Sequence, residues 1–174
     1  FLNKIYEHKK IKDIEKIIFI SSTSVYPNIE GFFNEEFEIE NSSSKIVYEA
    51  EKLILNKSDI IFRVSALVGA NRVSGRRLSN KVVEYPKSVI NFVHRNDVID
   101  ATKFVIENNL NGTFNLCCKE HPSKEDLYSF NAKKYDFALP KFSENKEFLN
   151  RTIDGSKIEQ LGFIYKHNNA FDLI

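Results

Sequence analysis

A tyrosine and a lysine four residues apart are the side chains of this sequence best suited to acid–base chemistry. Tyr48 and Lys52 fall in a stretch with helical periodicity, where positions i and i+4 share a face, so both side chains can point into one site. A nearby ammonium charge favours the phenolate form of tyrosine, which acts as a general base. On the spacing alone, a surface pair is the better interpretation, and Tyr6 with Lys10 repeats the spacing.

The serine at position 22 distinguishes the two tyrosine–lysine pairs. Ser22 closely follows the apolar run 17–20, which predicts a strand buried on both faces of a parallel sheet. Ligands of parallel sheets bind beyond the carboxyl ends of the strands. Tyr48 comes after such an end, whereas Tyr6 comes before the strand, so the sequence favours Tyr48.

The elements around this pair predict a parallel α/β sheet. Residues 43–57 are expected to form a helix capped by the serines at 42–44, and residues 60–64 a second buried strand. Strand, helix and strand in this order form a crossover unit. The helix should bury one apolar stripe, against the first helix of the chain or in a homodimer; its residues are Ile46, Ala50, Leu53 and Ile54.

Further elements are expected in the second half of the chain. The patterns predict a polar loop at 69–86, strands at 89–93 and 113–116, and helices after Asp97, after Ser123 and at 156–161. Asp97 fits a helix cap better than a substrate contact. His94 and Arg95 are expected in surface or loop contacts.

Several segments resemble, in the right order, the extended short-chain dehydrogenases/reductases of the NAD-dependent epimerase/dehydratase type. Residues 18–27 (IFISSTSVYP) are similar to the strand end that carries that family's serine, and Glu35 or Glu36 falls where it has an acid. Tyr48 and Lys52 match its catalytic helix. Segments FRVSALVG (62–69), NFVHRNDV (91–98) and GTFNL (112–116) also match. The resemblance implies an α/β fold, the C-terminal portion of a Rossmann-like doubly wound parallel sheet with a small substrate-binding region.

The same resemblance implies roles for individual residues. Ser22, Tyr48 and Lys52 would be catalytic: Ser22 would bind the substrate oxygen, Tyr48 would move its proton, and Lys52 would hold the nicotinamide ribose. NAD or NADP would be bound by Tyr48, Lys52 and the strand-end residues Ser21 and Val64. A nucleotide-sugar or related small molecule would be bound by Thr23, Asn71 and Arg72, although a solvated loop explains the residues around Arg72 equally well.

The sequence also departs from the family pattern. The glycine-rich turn that holds the pyrophosphate is absent, since none of the 6 glycines forms such a cluster. There is no methionine and the sequence begins with Phe1, so we expect a piece of a longer protein. Thr23 and Ser24 replace the acidic pair of the sugar 4,6-dehydratases, which argues against dehydration.

Two hypotheses about function therefore remain. The first is an NAD(P)-dependent oxidoreductase or epimerase acting on a sugar nucleotide, with a Rossmann part at 1–70 and a mixed part at 71–174 within one partial domain. The second is a non-catalytic remnant of the family with a structural or binding role. The resemblance also implies a homodimer through the helix that carries Tyr48 and the helix before the strand of Ser22.

Composition excludes few other classes of function. With 25 basic and 24 acidic residues there is no overall field to attract nucleic acid, and no apolar run approaches the ~18 residues of a membrane span. The adjacent Cys117 and Cys118 suit neither a disulfide nor a metal site, so no metal is expected. A reducing cytoplasm is the expected compartment.

Overall fold

A parallel three-stranded sheet forms the centre of the protein. The computed structural model describes residues 2–145 and 147–172. Strands β1 (Ile18–Ser22), β3 (Ile60–Val64) and β7 (Gly112–Leu116) lie side by side in that order, with Ile18 opposite Ile60 and Ile60 opposite Gly112. The crossover predicted from the sequence is therefore confirmed, and its helix α2 (Lys45–Ile54) is shorter than expected at both ends.

The remaining elements surround this sheet. Three two-stranded parallel sheets pair β2 with β9, β4 with β6 and β5 with β8. The helices are α1 (Leu2–Tyr6), α3 (Arg95–Glu107), α4 (Lys124–Lys134) and α5 (Ser156–Gln160). The short strands are β2 (Gly31–Phe33), β4 (Ala66–Val68), β5 (Val82–Val83), β6 (Phe92–His94), β8 (Lys141–Phe142) and β9 (Arg151–Ile153). None of the helices in the described ranges is long and apolar enough to cross a membrane.

The main core lies on one face of the central sheet. Phe62 of β3 and Phe114 of β7 are almost fully buried there, together with Ala101 and Val105 of α3. Continuous apolar runs can form strands in this position because a parallel sheet is covered on both faces. A smaller cluster on the other face contains Val25, Tyr26, Phe33, Cys117 and Ile153.

A buried ion pair attaches α2 to the sheet. Glu51 of α2 accepts hydrogen bonds from Arg63 of β3, with the Nε–Oε1 distance at 3.0 Å, and from the Ser21 hydroxyl of β1 at 2.6 Å. Both charged side chains are buried. Burial lowers the pKa of Arg63, but the bonds to Glu51 and Tyr26 raise it more, so the net pKa is raised and the guanidinium stays charged.

The ion pair continues into a polar network across the sheet. Arg63 Nη1 donates to the Tyr26 hydroxyl at 2.9 Å, and that hydroxyl lies 2.9 Å from Asn115 Oδ1 of β7. Glu35 accepts from the Asn115 backbone N–H at 2.6 Å. Burial raises the pKa of Glu35, and its bond to the Asn115 backbone opposes this. The network therefore connects three strands, α2 and the loop after β2.

The side of helix α2 that is buried differs from the side expected from the sequence. Ile54 is fully buried and Ala50 half-buried, but Ile46 is 84% exposed and Leu53 40% exposed. The expected burial of Ile46 and Leu53 against the first helix is therefore wrong, because Glu51 occupies the centre of the inward face and turns those two residues outward. Their burial in a homodimer stays a prediction.

Three other local expectations were also wrong. The N-cap of α3 is His94, whose ring accepts from the Asn96 N–H at 3.2 Å, whereas Asp97 is fully buried and accepts hydrogen bonds from Lys166 and His167. His94 is buried rather than on the surface, stacked on His167 with ring centroids 3.8 Å apart.

The strand expected at 89–93 is instead β6, and Val89 forms only an isolated bridge.

Loss of the Glu51 charge should destabilise the protein strongly. Glu51→Gln leaves the buried Arg63 without a counter-charge, so we expect a loss of about 3 kcal/mol in the free energy of unfolding, measured by urea denaturation. Glu49→Gln is the matched control on the same helix, because Glu49 meets Lys52 at 3.7 Å with both side chains about half exposed. It should change stability by less than about 0.5 kcal/mol. Equal effects of the two substitutions would contradict the assigned role of the ion pair.

Candidate functional site

A short turn after β1 places Ser22 at the carboxyl end of the central sheet. The backbone N–H of Ser24 donates to Ser22 Oγ at 3.2 Å, which caps the 3-10 turn Thr23–Val25. The Ser22 hydroxyl keeps its own proton for a ligand, because it is the acceptor in this bond. Ser22 thus occupies the place where parallel sheets bind their ligands.

Serines that precede α2 hold this turn from the other side. The hydroxyls of Ser42 and Ser43 both donate to the Ser24 carbonyl, at 3.1 and 2.7 Å. Ser44 occupies the N-cap position of α2, but its side chain makes no capping bond. The serine run predicted to cap the helix instead ties the start of the helix to the turn that follows β1.

Helix α2 carries Tyr48 and Lys52 beside this turn. Lys52 Nζ lies 5.3 Å from the centroid of the Tyr48 ring, so the predicted proximity of the pair holds, and Lys52 remains about half exposed. The Tyr48 hydroxyl donates to the Ile39 carbonyl at 2.8 Å, and its ring packs on the smaller cluster. Convergence of the Tyr48 hydroxyl with Ser22 Oγ within about 4–7 Å stays a prediction.

Ser22, Thr23 and Arg72 line one cavity of about 440 Å³. The other polar residues of its wall are Ser24, Asn28, Ser43, Ser65, Asn91 and Arg151, and no acidic residue lines it. Tyr48 and Lys52 are not among its lining residues. The structure thus brings one predicted catalytic residue together with two predicted substrate-binding residues.

Two further cavities adjoin this one, since they share lining residues with it. One of about 700 Å³ shares Arg72 and is also lined by Asn71, Arg76, Arg77 and Arg95. The other, of about 430 Å³, shares Asn91 and Arg151 and is lined by Lys124 and Glu147. We call the three together the cleft. Ser22 lines its middle part, and Arg72 and Arg151 line the two junctions.

The predicted cofactor-binding residues differ in whether they have a polar group free to bind the cofactor. Ser21 is buried and gives its hydroxyl proton to Glu51, and Val64 is half-buried at the carboxyl end of β3. Lys52 keeps an accessible ammonium group, with one weak ion pair to Glu49 at 3.7 Å.

Sequence reasoning missed Glu51, Arg63 and Arg151. Arg63 interrupts a buried apolar strand, which is a signal for a buried partner, but nothing in the local pattern identifies Glu51 as that partner. Arg151 comes from β9, which pairs in parallel with β2 more than a hundred residues earlier in the chain. No local pattern predicts that pairing.

Comparisons with known proteins agree with this architecture. No model of a known protein family matches the sequence. The chain is 32% identical over 162 residues to the Escherichia coli protein YeeZ, in strain K12 and in O157:H7, covering 88% of this chain and 59% of the relative.

Solved structures extend the comparison. The UDP-glucuronic acid 4-epimerase of Bacillus cereus, solved with NAD, superposes with a TM-score of 0.74 at 22% identity, over 99% of this chain and 61% of that one. The Helicobacter pylori ADP-L-glycero-D-manno-heptose-6-epimerase superposes with a TM-score of 0.70 at 15% identity, over 94% of this chain and 58% of that one. A Methylobacillus flagellatus protein assigned to the NAD-dependent epimerase/dehydratases superposes with a TM-score of 0.72 at 20% identity, over 87% of this chain and 59% of that one. The resemblance found in the sequence is therefore confirmed: this chain has the fold of the NAD-dependent epimerase/dehydratase family, over about three fifths of the length of the proteins it matches.

Proposed function

We propose that this chain belongs to an NAD(P)-dependent epimerase or oxidoreductase acting on a sugar nucleotide, and that it supplies the substrate site and the catalytic side chains. The observation that carries the proposal is the cleft at the carboxyl end of the central sheet, with Ser22 in its middle and arginines along its walls. The matched structures include epimerases of UDP- and ADP-linked sugars, which supports this substrate class.

The charge of the cleft favours a phosphate-bearing ligand. The formal charge of the whole chain is only +1, yet Arg72, Arg76, Arg77 and Arg95 all line the cavity of about 700 Å³, and no acidic residue lines it. Arginine suits phosphate because its planar fork can donate two parallel hydrogen bonds. We infer that the phosphates bind at the Arg72 side, which places the sugar towards Ser22.

The proton chemistry is assigned to Ser22 and Tyr48. The Ser22 hydroxyl is free to donate to a substrate hydroxyl or carbonyl oxygen in the middle of the cleft. Tyr48 would then move the proton of that oxygen. Its hydroxyl must first leave the Ile39 carbonyl, 2.8 Å away, so either the Tyr48 side chain or the loop that carries Ile39 has to move when the site becomes active.

The residues of this chain fit the nicotinamide half of the cofactor. Lys52 can donate to ribose hydroxyls, because its ammonium group is accessible beside Tyr48. The Ser21 hydroxyl is committed to Glu51, so we expect this position to contribute by shape rather than by a donated hydrogen bond. The cofactor, when bound, supplies hydride transfer to and from a sugar carbon. No glycine cluster for a pyrophosphate occurs in the 174 residues.

A non-catalytic binding role is the second candidate function. The hydrogen bond of Tyr48 to Ile39 favours it, because a tyrosine that stays in this bond cannot serve a substrate. The cleft would then bind the sugar nucleotide without turnover.

The exposed residues of α2 lead us to propose a homodimer. Ile46 and Leu53 lie on the outer face of this helix at 84% and 40% exposure. We expect light scattering to show a dimer, and Ile46→Lys to convert it to a monomer because a charge in an apolar interface is costly. Ile164→Lys, at 75% exposure and outside both α1 and α2, is the control for an added charge. A monomeric wild-type protein would contradict the dimer.

Binding of sugar nucleotides tests the substrate site. We expect UDP-glucose or ADP-glucose to bind in isothermal titration, and Arg72→Gln to weaken binding about tenfold, since a charge-assisted hydrogen bond contributes about 1.5 kcal/mol. Lys103→Gln removes an equal charge outside the cleft and should have no effect. Equal weakening by both variants, or binding unaffected by either, would argue against the cleft.

Cofactor binding and turnover test the catalytic assignment. The 174-residue chain should bind NAD and NADP only weakly, because affinity in this fold comes largely from the glycine-rich turn. A form extended by such a turn should bind either cofactor well. There, Tyr48→Phe should abolish turnover and spare cofactor affinity. Micromolar binding by the 174 residues alone would show that the cofactor site is misplaced, and turnover by the Tyr48→Phe variant would exclude Tyr48 as the catalytic residue.

A further inference from the structure

The guanidinium of Arg151 has one edge bound and the other available. Its Nε donates to the Pro27 carbonyl at 2.8 Å and its Nη2 to the Thr23 carbonyl. The remaining nitrogen, Nη1, donates no hydrogen bond to any of the described residues. It is not buried either, so it remains accessible. Its two N–H groups can therefore serve a ligand, since Arg151 lines both the middle and the outer part of the cleft.

Arg151 is held firmly before any ligand arrives. Its backbone pairs with Gly31 across β9 and β2, and Asn91 Nδ2 donates to its carbonyl at 2.7 Å. Asn91 Oδ1 also accepts from the Ile153 N–H at 2.8 Å. A cation fixed in this way loses little conformational freedom when it binds an anion, which favours affinity.

The charge of Arg151 has no acidic partner. It forms no ion pair with a carboxylate in the described ranges. The neighbouring Cys117 does not supply a negative charge, because burial raises the pKa of its thiol to about 12. Burial also lowers the pKa of Arg151. A partly desolvated guanidinium with only neutral acceptors is a favourable site for an anion.

A second polar group in the same cavity lacks a partner. Ser65 is 5% exposed, and its buried hydroxyl has no hydrogen bond of ordinary geometry, with only the Cys117 thiol nearby as a weak partner. Ser65 and Arg151 both line the cavity of Ser22. The Ser65 oxygen is itself inaccessible, so we assign Ser65 to the wall of the cavity and not to a hydrogen bond with the ligand.

We infer that the sugar bound in this cavity carries a carboxylate, held by the free edge of Arg151. This inference rests on the proposed function and narrows its substrate class to sugar nucleotides with an acidic sugar. Arg72 and Arg151 both line the Ser22 cavity, one at each junction with a neighbouring cavity, so a ligand there meets two cationic positions. The phosphate of a nucleotide sugar accounts for Arg72, and a planar carboxylate on the ring accounts for Arg151.

Sugar 1-phosphates without a base test this inference directly. We would titrate glucose 1-phosphate, glucuronic acid 1-phosphate and the methyl ester of the latter into the protein, and follow amide shifts by NMR. We expect glucuronic acid 1-phosphate to bind about tenfold more tightly than the other two, because only it carries a carboxylate in addition to the phosphate. The ester is close to the acid in size but has no carboxylate charge. The comparison therefore isolates the effect of that charge without any change in the protein.

Variants identify the residue responsible. Arg151→Lys keeps a positive charge and a donor for the loop carbonyls but loses the planar fork, so preference for the acid should fall at least threefold. Arg72→Lys should weaken all three ligands alike. Thermal unfolding of each variant checks that the fold is kept.

The outcomes separate the two proposals. Equal affinity of the wild-type protein for the acid, its ester and glucose 1-phosphate overturns the carboxylate site and leaves the proposed function intact. A preference for the acid that survives in Arg151→Lys overturns the role of Arg151. If none of the three sugar phosphates binds and neither sugar nucleotide does, the proposed function fails as well.

Discussion

The buried ion pair between Glu51 and Arg63 is the interaction on which the arrangement of this protein depends. It crosses from α2 to β3, and the hydroxyl of Ser21 extends it to β1. Ser21 directly precedes Ser22, and Glu51 directly precedes Lys52 in the helix that also carries Tyr48. The same contact therefore sets the position of α2 relative to the strand end that carries Ser22. A buried pair of this kind adds little net stability compared with apolar packing, but removing one partner is costly, which makes the arrangement specific.

The strand ends alone do not form the cleft, because residues from the last quarter of the chain complete it. Strand β9 pairs with β2, and Arg151 reaches from it to the carbonyls of Thr23 and Pro27 on either side of the turn after β1. The serines before α2 bind the same turn through the Ser24 carbonyl. The turn that presents Ser22 is thus held from two directions. Such preorganisation keeps polar groups in place at little entropic cost when a ligand binds.

Close packing against the cleft also constrains a backbone position. Gly69 has a φ of 107°, and a Cβ there would collide with the imidazole of His94. His94 in turn caps α3 and stacks on His167, whose N–H groups contact Asp97. This second polar cluster fixes α3 and the C-terminal segment on the side of the sheet opposite to α2. The buried carboxylate of Glu51 thus attaches α2 to the sheet, and that of Asp97 attaches α3 to the C-terminal segment.

The sequence by itself determined the elements whose signals are local. The apolar run at 60–64 predicted β3 residue by residue, and Ser123 with Asp126 predicted the cap of α4, where the Asp126 N–H donates to the Ser123 hydroxyl at 3.0 Å. Helical spacing placed Tyr48 and Lys52 on one helix, and ordered motifs indicated the family fold.

Only the tertiary structure decided which face of α2 is buried. An apolar stripe predicts Ile46 inside, whereas the long-range pairing with Arg63 brings Glu51 there instead. It also decided that Arg151 joins Ser22 in one cavity, because strand pairing between β2 and β9 depends on contacts over more than a hundred residues, and periodicity within a short window carries no information about such contacts.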